Sequence, residues 1–103
     1  MSQIPFKILG VEHVGIAVEN LEGLSIIFSD ILGLEFTKSE EVKDQGVITD
    51  IYKAGNNKLE LLKATTPDSS IARFIDKKGE GLHHIALIVD DLQSALDYLS
   101  KKG

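Results

Sequence analysis

The chain has 103 residues, no cysteine, 43% hydrophobic and 26% charged residues, and a net charge of −5. One globular domain with a modest core is expected. Disulfides, thiolate metal sites and a cysteine nucleophile are excluded, and the acidic balance argues against nucleic-acid binding, which needs a basic face to release counterions. The N-terminal MSQIPFKILG lacks the basic start and long apolar run of a signal peptide. No apolar run is long enough to span a bilayer. A cytoplasmic location without membrane association is therefore the expectation.

In chain order, VEHVGIAV (Val11 to Val18) reads as a strand with His13, Gly15 and Ala17 on one face and Val14, Ile16 and Val18 on the other. Asn20 is placed to cap a helix. Its apolar face would carry Leu21, Leu24, Ile27, Phe28, Ile31 and Leu32, and Gly33 would end it. Three short strands follow, LEFTKSEEV, GVITDIYKA and NKLELLKA, the last two joined by a turn at GNN. TTPDSS starts a second helix with Ile71, Phe74 and Ile75 inward. HHIALIV is a further strand. DLQSALDYLSKKG is a third helix, expected to bury Leu92, Ala95, Leu96 and Leu99.

The chain repeats itself. Shifted by 71 positions, HVGIAVENL falls on HIALIVDDL, so His13 meets His84, Val18 meets Val89 and Leu21 meets Leu92. Each copy is a strand, an Asn or Asp cap and an amphipathic helix, and a repeat of this kind dictates architecture. Duplicated modules pair about a pseudo-two-fold axis, which would bring His13 and His84 together. The small residues Gly15, Ala17 and Ala86 on the same face suit the lining of a cavity.

Two facing imidazoles invite a divalent metal. Glu60, the one charged residue in LELL, is the candidate third ligand, because a buried carboxylate is costly unless paired or bound to a cation. His13, Glu60 and His84 would leave a coordination position open for polarising a carbonyl or activating water. A lone histidine at a strand edge is more commonly a hydrogen-bonded structural residue, and Glu60 taken alone could be solvated; the repeat is what favours the metal set. Strict alternation turns His83 away from His84. Glu12 stands at its place in the first copy, so His83 reads as structural or peripheral.

HVGIAVENLE, LGLEF, DQGV, KLELL and DSSIARFIDKKGEGLHHIALIVDDL resemble, in order and spacing, the vicinal oxygen chelate (glyoxalase/bleomycin resistance) superfamily and, within it, the methylmalonyl-CoA epimerase family. The similarity runs from about Val11 to the end of the chain. It implies an α+β fold of paired βαβββ modules, curved around a divalent metal whose kind (Co, Zn, Ni or Mn) is not distinguished. Residues 11–63 would be the first module, 64–81 a connecting helix and 82–103 the first strand and helix of a second, C-terminally incomplete one. His13, Glu60 and His84 match the first three ligand positions; the fourth, a glutamate further on, has no counterpart here.

The implied reaction interconverts (R)- and (S)-methylmalonyl-CoA by removing the proton α to the thioester, and the implied partners are an acyl-CoA thioester and a second copy of the chain in a homodimer. Thr49 stands where at least one family member has a glutamate base, and its hydroxyl cannot serve as one. Asp50 alternates to the other face. Gln45 in DQGV is a candidate substrate contact, with a polar turn residue as the plainer reading. No catalytic base is assigned. The alternatives are a lactoylglutathione lyase (glyoxalase I), which also moves a proton through a metal-held enediolate, and a non-enzymatic small-molecule-binding member of the superfamily.

Overall fold

The computed structural model describes residues 3–103; the first two positions of the N-terminal stretch read above lie outside them. In chain order the elements are β1 (Ile8–Ala17), α1 (Glu22–Ser25) running on into a π-helical segment (Ile26–Ile31), β2 (Glu35–Val42), a 3-10 turn (Lys43–Gln45), β3 (Val47–Ala54), β4 (Asn57–Ala64), α2 (Ser70–Lys78), β5 (Gly81–Val89) and α3 (Leu92–Lys102). The five strands form one mixed sheet in the order β2-β3-β4-β1-β5. The fold is α+β, as expected.

The strands β2, β3 and β4 form an antiparallel meander. Gly55, at φ 64°, supplies the left-handed residue of the β3–β4 turn. β4 then lies parallel to β1, while β1 pairs antiparallel with β5. Two clusters divide the core between the faces of the sheet. Ala17, Val47 and Leu62 pack under Ile71 of α2, with Phe74 and Ile75 beside them. Val18, Tyr52 and Leu61 pack under Phe28, with Leu21 and Leu24 of the α1 region. The alternation read in KLELL is thus realised: Glu60 and Leu62 face one layer, Leu59 and Leu61 the other.

Two helical expectations need correction. The first helix does not bury the whole stripe. Phe28 is buried, but Ile27, Ile31 and Leu32 are exposed. The cause is the π winding. Leu32 N–H donates to Ile27 C=O, five residues back, so the apolar side chains no longer stack at 3.6-residue spacing. Asn20 Oδ1 does accept from Gly23 N–H, though at 3.5 Å, and Gly33 at φ 71° ends the segment. In α3 only Ala95 is buried; Leu92, Leu96 and Leu99 are more than half exposed. This helix lies over β5, the edge of the sheet, and the start of β1 at Ile8, so its floor lacks the breadth that β3 and β4 give the α1 segment.

The β1–β5 ladder is symmetric. Val14 faces Ile85 at its centre, His13 faces Ala86, and Gly15 faces His84. The 71-residue offset of His13 and His84 is also that of Gly15 and Ala86. Repeat-equivalent residues therefore exchange places across a local pseudo-two-fold axis. Two of the three irregularities share the symmetry: Glu12 is skipped between the Val11–Leu87 and His13–Ala86 pairs, and His83 between Gly15–His84 and Ile16–Leu82, while Leu9 is skipped at the start of β1. Each strand thus carries a β-bulge at the residue preceding its histidine.

Candidate metal centre

His13 on β1, Glu60 on β4 and His84 on β5 come from three adjacent strands and meet on the face of the sheet that carries Gly15. His13 Nε2 lies 3.0 Å from His84 Nε2, with the two rings edge to face. Glu60 Oε2 lies 3.5 Å from His13 Nδ1, and its side chain is only 15% exposed. Gly15 is what lets the second histidine in. A Cβ there would fall inside the His84 imidazole, so the close approach requires a residue without a side chain.

Glu12 joins this group, which the alternation read in the sequence did not foresee. Its Oε1 is 2.5 Å from His13 Nδ1, and its Oε2 is 3.0 Å from Lys58 Nζ. Glu12, His13 and Glu60 each offer a ligand atom, all within 4.8 Å of one another; this set does not include His84, which meets His13 at its other ring nitrogen. The two paired contacts hold the Glu12 carboxyl below the usual carboxylate range, the hydrogen bond to His13 first and that to Lys58 next. His83 also departs from expectation. It does not turn away from His84: its Nδ1 lies 2.9 Å from His84 Nδ1, and its ring packs edge to face on Phe74 of α2. Both departures have one cause. A bulge inserts an extra residue and breaks strict alternation, so consecutive side chains share one face. The available signal was a polar residue at the same place in both repeat copies, Glu12 and His83, within otherwise apolar strands.

The donor set suits a divalent cation. Two imidazole nitrogens on one cation at about 2.1 Å sit roughly 3.0–3.4 Å apart, the spacing seen between the Nε2 atoms. Facing lone pairs at that distance require a proton or a cation between them. Desolvation lowers the His84 pKa, His13 and His83 push it further down, and Glu60 opposes them. A neutral imidazole is the form that binds metal.

The profile of the Glyoxalase/Bleomycin resistance protein/Dioxygenase superfamily matches residues 12–103. The chain belongs to that superfamily. Among its relatives in the superfamily, the uncharacterized protein YqjC of Bacillus subtilis is 40% identical over 87% of this chain and 64% of its own length. The mitochondrial methylmalonyl-CoA epimerase of Homo sapiens is 38% identical over 89% of this chain and 53% of its own. The present chain thus spans little more than half to two thirds of these relatives. A methylmalonyl-CoA epimerase of Streptomyces coelicolor, solved with 2-nitronate-propionyl-CoA, superposes with a TM-score of 0.83 at 29% identity, covering 94% of this chain and 74% of that one.

The remaining candidates of this superfamily member lie elsewhere. Thr49 pairs with Leu62 and is buried on the Glu60 face. Asp50 pairs with Leu61 on the opposite face, with its Oδ1 buried and unpartnered among the described residues. Gln45 ends the 3-10 turn and lines a cleft with Lys43, Thr66, Asp68, Ser69 and Arg73, further along the β3–β4 ladder from Glu60. Among the described residues no helix is long and apolar enough to cross a membrane.

Proposed function

We propose that this chain carries the metal-binding face of an epimerase acting on methylmalonyl-CoA or a closely related acyl-CoA thioester. His13, Glu60 and His84 would hold a divalent cation; imidazole and carboxylate donors accommodate Co, Zn, Ni or Mn. The observation that carries the reading is the convergence of two repeat-related Nε2 atoms at 3.0 Å, with the Glu60 carboxylate 3.5 Å from the other ring nitrogen of His13. The epimerases among the relatives support the substrate class. Under the same reading, residues 11–63 form one βαβββ module, 64–81 the connection and 82–103 the start of a second.

A bound cation would polarise the substrate oxygens and stabilise the negative charge that develops when the α proton leaves. The protein's own part is to orient. The imidazoles and Glu60 would define the cation's position, and Gly15 leaves room for the His84 ring. Thr49 lies on the same face but its hydroxyl does not take a proton from carbon near neutral pH. Gln45, exposed at its turn, is the proposed contact to the substrate.

The test is exchange. With Co²⁺ added and methylmalonyl-CoA in deuterated water, deuterium should enter at the α carbon, and His84→Ala should abolish its entry. Metal-independent exchange, or none from the intact protein, would overturn the reading.

A further inference from the structure

We infer that Glu12 and His83, the two repeat-related bulge residues, are positioning residues that hold the Nδ1 atoms of His13 and His84 and so direct both Nε2 atoms toward one point. The inference rests on the proposed metal centre for what occupies that point, but not for the positioning itself.

Three observations lead here. The first is symmetry. The bulges at Glu12 and His83 fall at repeat-equivalent places in the β1–β5 ladder, one on each side of the Val14–Ile85 pair. A bulge disrupts ladder pairing and is commonly used to re-aim a side chain. Here the same device stands before the same histidine in both strands.

The second is the contacts the bulges create. Glu12 Oε1 reaches His13 Nδ1 at 2.5 Å, and His83 Nδ1 reaches His84 Nδ1 at 2.9 Å. An ionised carboxylate only accepts, so His13 Nδ1 carries a proton, and in the neutral ring this leaves the lone pair on Nε2. For His84 to present Nε2 to a cation, its Nδ1–H must donate, and His83 Nδ1 is the acceptor in reach. Histidine ligands generally donate their second N–H in this way, which sets both tautomer and ring orientation.

The third is that the positioning residues are themselves held. Lys58 Nζ takes the other oxygen of Glu12 at 3.0 Å. The side-chain amide of Asn57 donates to Val11 C=O, next to the bulge. The His83 ring rests edge to face on Phe74, with 4.9 Å between centroids. With one oxygen 2.5 Å from His13 Nδ1 and the other on Lys58, Glu12 is assigned to orientation; Glu60 Oε2 makes the longer approach to the same Nδ1, at 3.5 Å, and is the carboxylate the proposed centre takes as its ligand.

The experiment has a metal-free and a metal-loaded arm. In metal-free protein, long-range ¹⁵N–¹H spectra should show His13 as the Nδ1–H tautomer. Glu12→Ala should shift that population toward Nε2–H, and Glu12→Gln, which keeps an accepting oxygen, should restore it. In the loaded arm, Zn²⁺ titration should show affinity falling about 10–100-fold in Glu12→Ala and in His83→Ala, with Glu12→Gln and His83→Gln recovering most of it. Circular dichroism checks that each variant is folded. An unchanged His13 tautomer in folded Glu12→Ala would overturn the role of Glu12. Unchanged Zn²⁺ affinity in His83→Ala would overturn that of His83. Complete loss of binding in His83→Ala with binding kept in His84→Ala would make His83 the ligand and overturn the assignment. If the wild-type protein binds no Zn²⁺, the metal reading fails, and the metal-free spectra still decide whether Glu12 orients His13.

Discussion

A methyl group at Gly15 would occupy the space taken by Cε1, Nδ1 and Nε2 of His84. Gly15→Ala should therefore cost about 1–3 kcal/mol, the range for forcing extra volume into a packed site, and should displace the imidazole rather than unfold the sheet. Urea denaturation reads the cost, and Zn²⁺ titration should show weakened binding; undiminished affinity would mean that the His84 ring has room elsewhere. Gly15 was legible in advance as a small residue on the histidine face. That it touches His84 was not, because cross-strand partners depend on register. His13 and His84 were legible for a different reason: two copies of one pattern place equivalent residues together wherever the copies pair about a two-fold axis. Alternation points Glu12 away from the site, because it is a rule about regular strands and a bulge suspends it; the repeat, with His83 at the equivalent place, held the one hint.

Among the elements, α2 follows its sequence signals closely. Ser69 caps it, its Oγ accepting from Ala72 N–H at 3.1 Å, and Ile71 is buried against the sheet. Ser69→Ala should cost about 1 kcal/mol, measured as a lowered urea midpoint with an unchanged slope. The cap of α3 adds a pH dependence. Asp91 accepts from Ser94 N–H at 3.0 Å, and that bond holds its carboxyl below the ordinary value of 3.8. A carboxyl with a lowered folded value stabilises above its unfolded value and loses that contribution as pH falls through the folded one. NMR titration should place the Asp91 midpoint below that of an unfolded reference peptide. Asp91→Asn, which caps without ionising, should remove the acid-dependent part of α3 fraying. The α1 segment did not follow its pattern. Its apolar spacing describes a regular helix, and the five-residue hydrogen bond from Leu32 to Ile27 turns Ile31 and Leu32 outward.

At the scale of the molecule, the two helices of the repeat meet unequal floors. The α1 segment sits over Val18, Tyr52 and Leu61, drawn from the end of β1 and from β3 and β4. α3 has only β5, the start of β1 and Phe6 beside it, and Ile85, Leu87, Leu92, Leu96 and Leu99 are all at least half exposed around one apolar groove. A contiguous apolar surface of this kind favours association, and the free edges of β2 and β5 add unpaired backbone groups. The sedimentation coefficient of this chain should rise with concentration. Leu96→Lys with Leu99→Glu should suppress the rise without lowering the melting temperature, because both positions are already 53% exposed. A coefficient independent of concentration in the wild type would show that the face does not self-associate.

The sequence by itself determined the element types, the α+β class, the repeat and the histidine pair, because these rest on periodicity and on comparing the chain with itself. Only the tertiary structure decided that β1 and β5 pair with Val14 opposite Ile85, that both strands bulge one residue before the histidine, and that Glu12 and His83 thereby reach the site. The reason is physical. Alternation and helical period are properties of one element at a time, whereas a bulge is defined by what its neighbouring strand does opposite it.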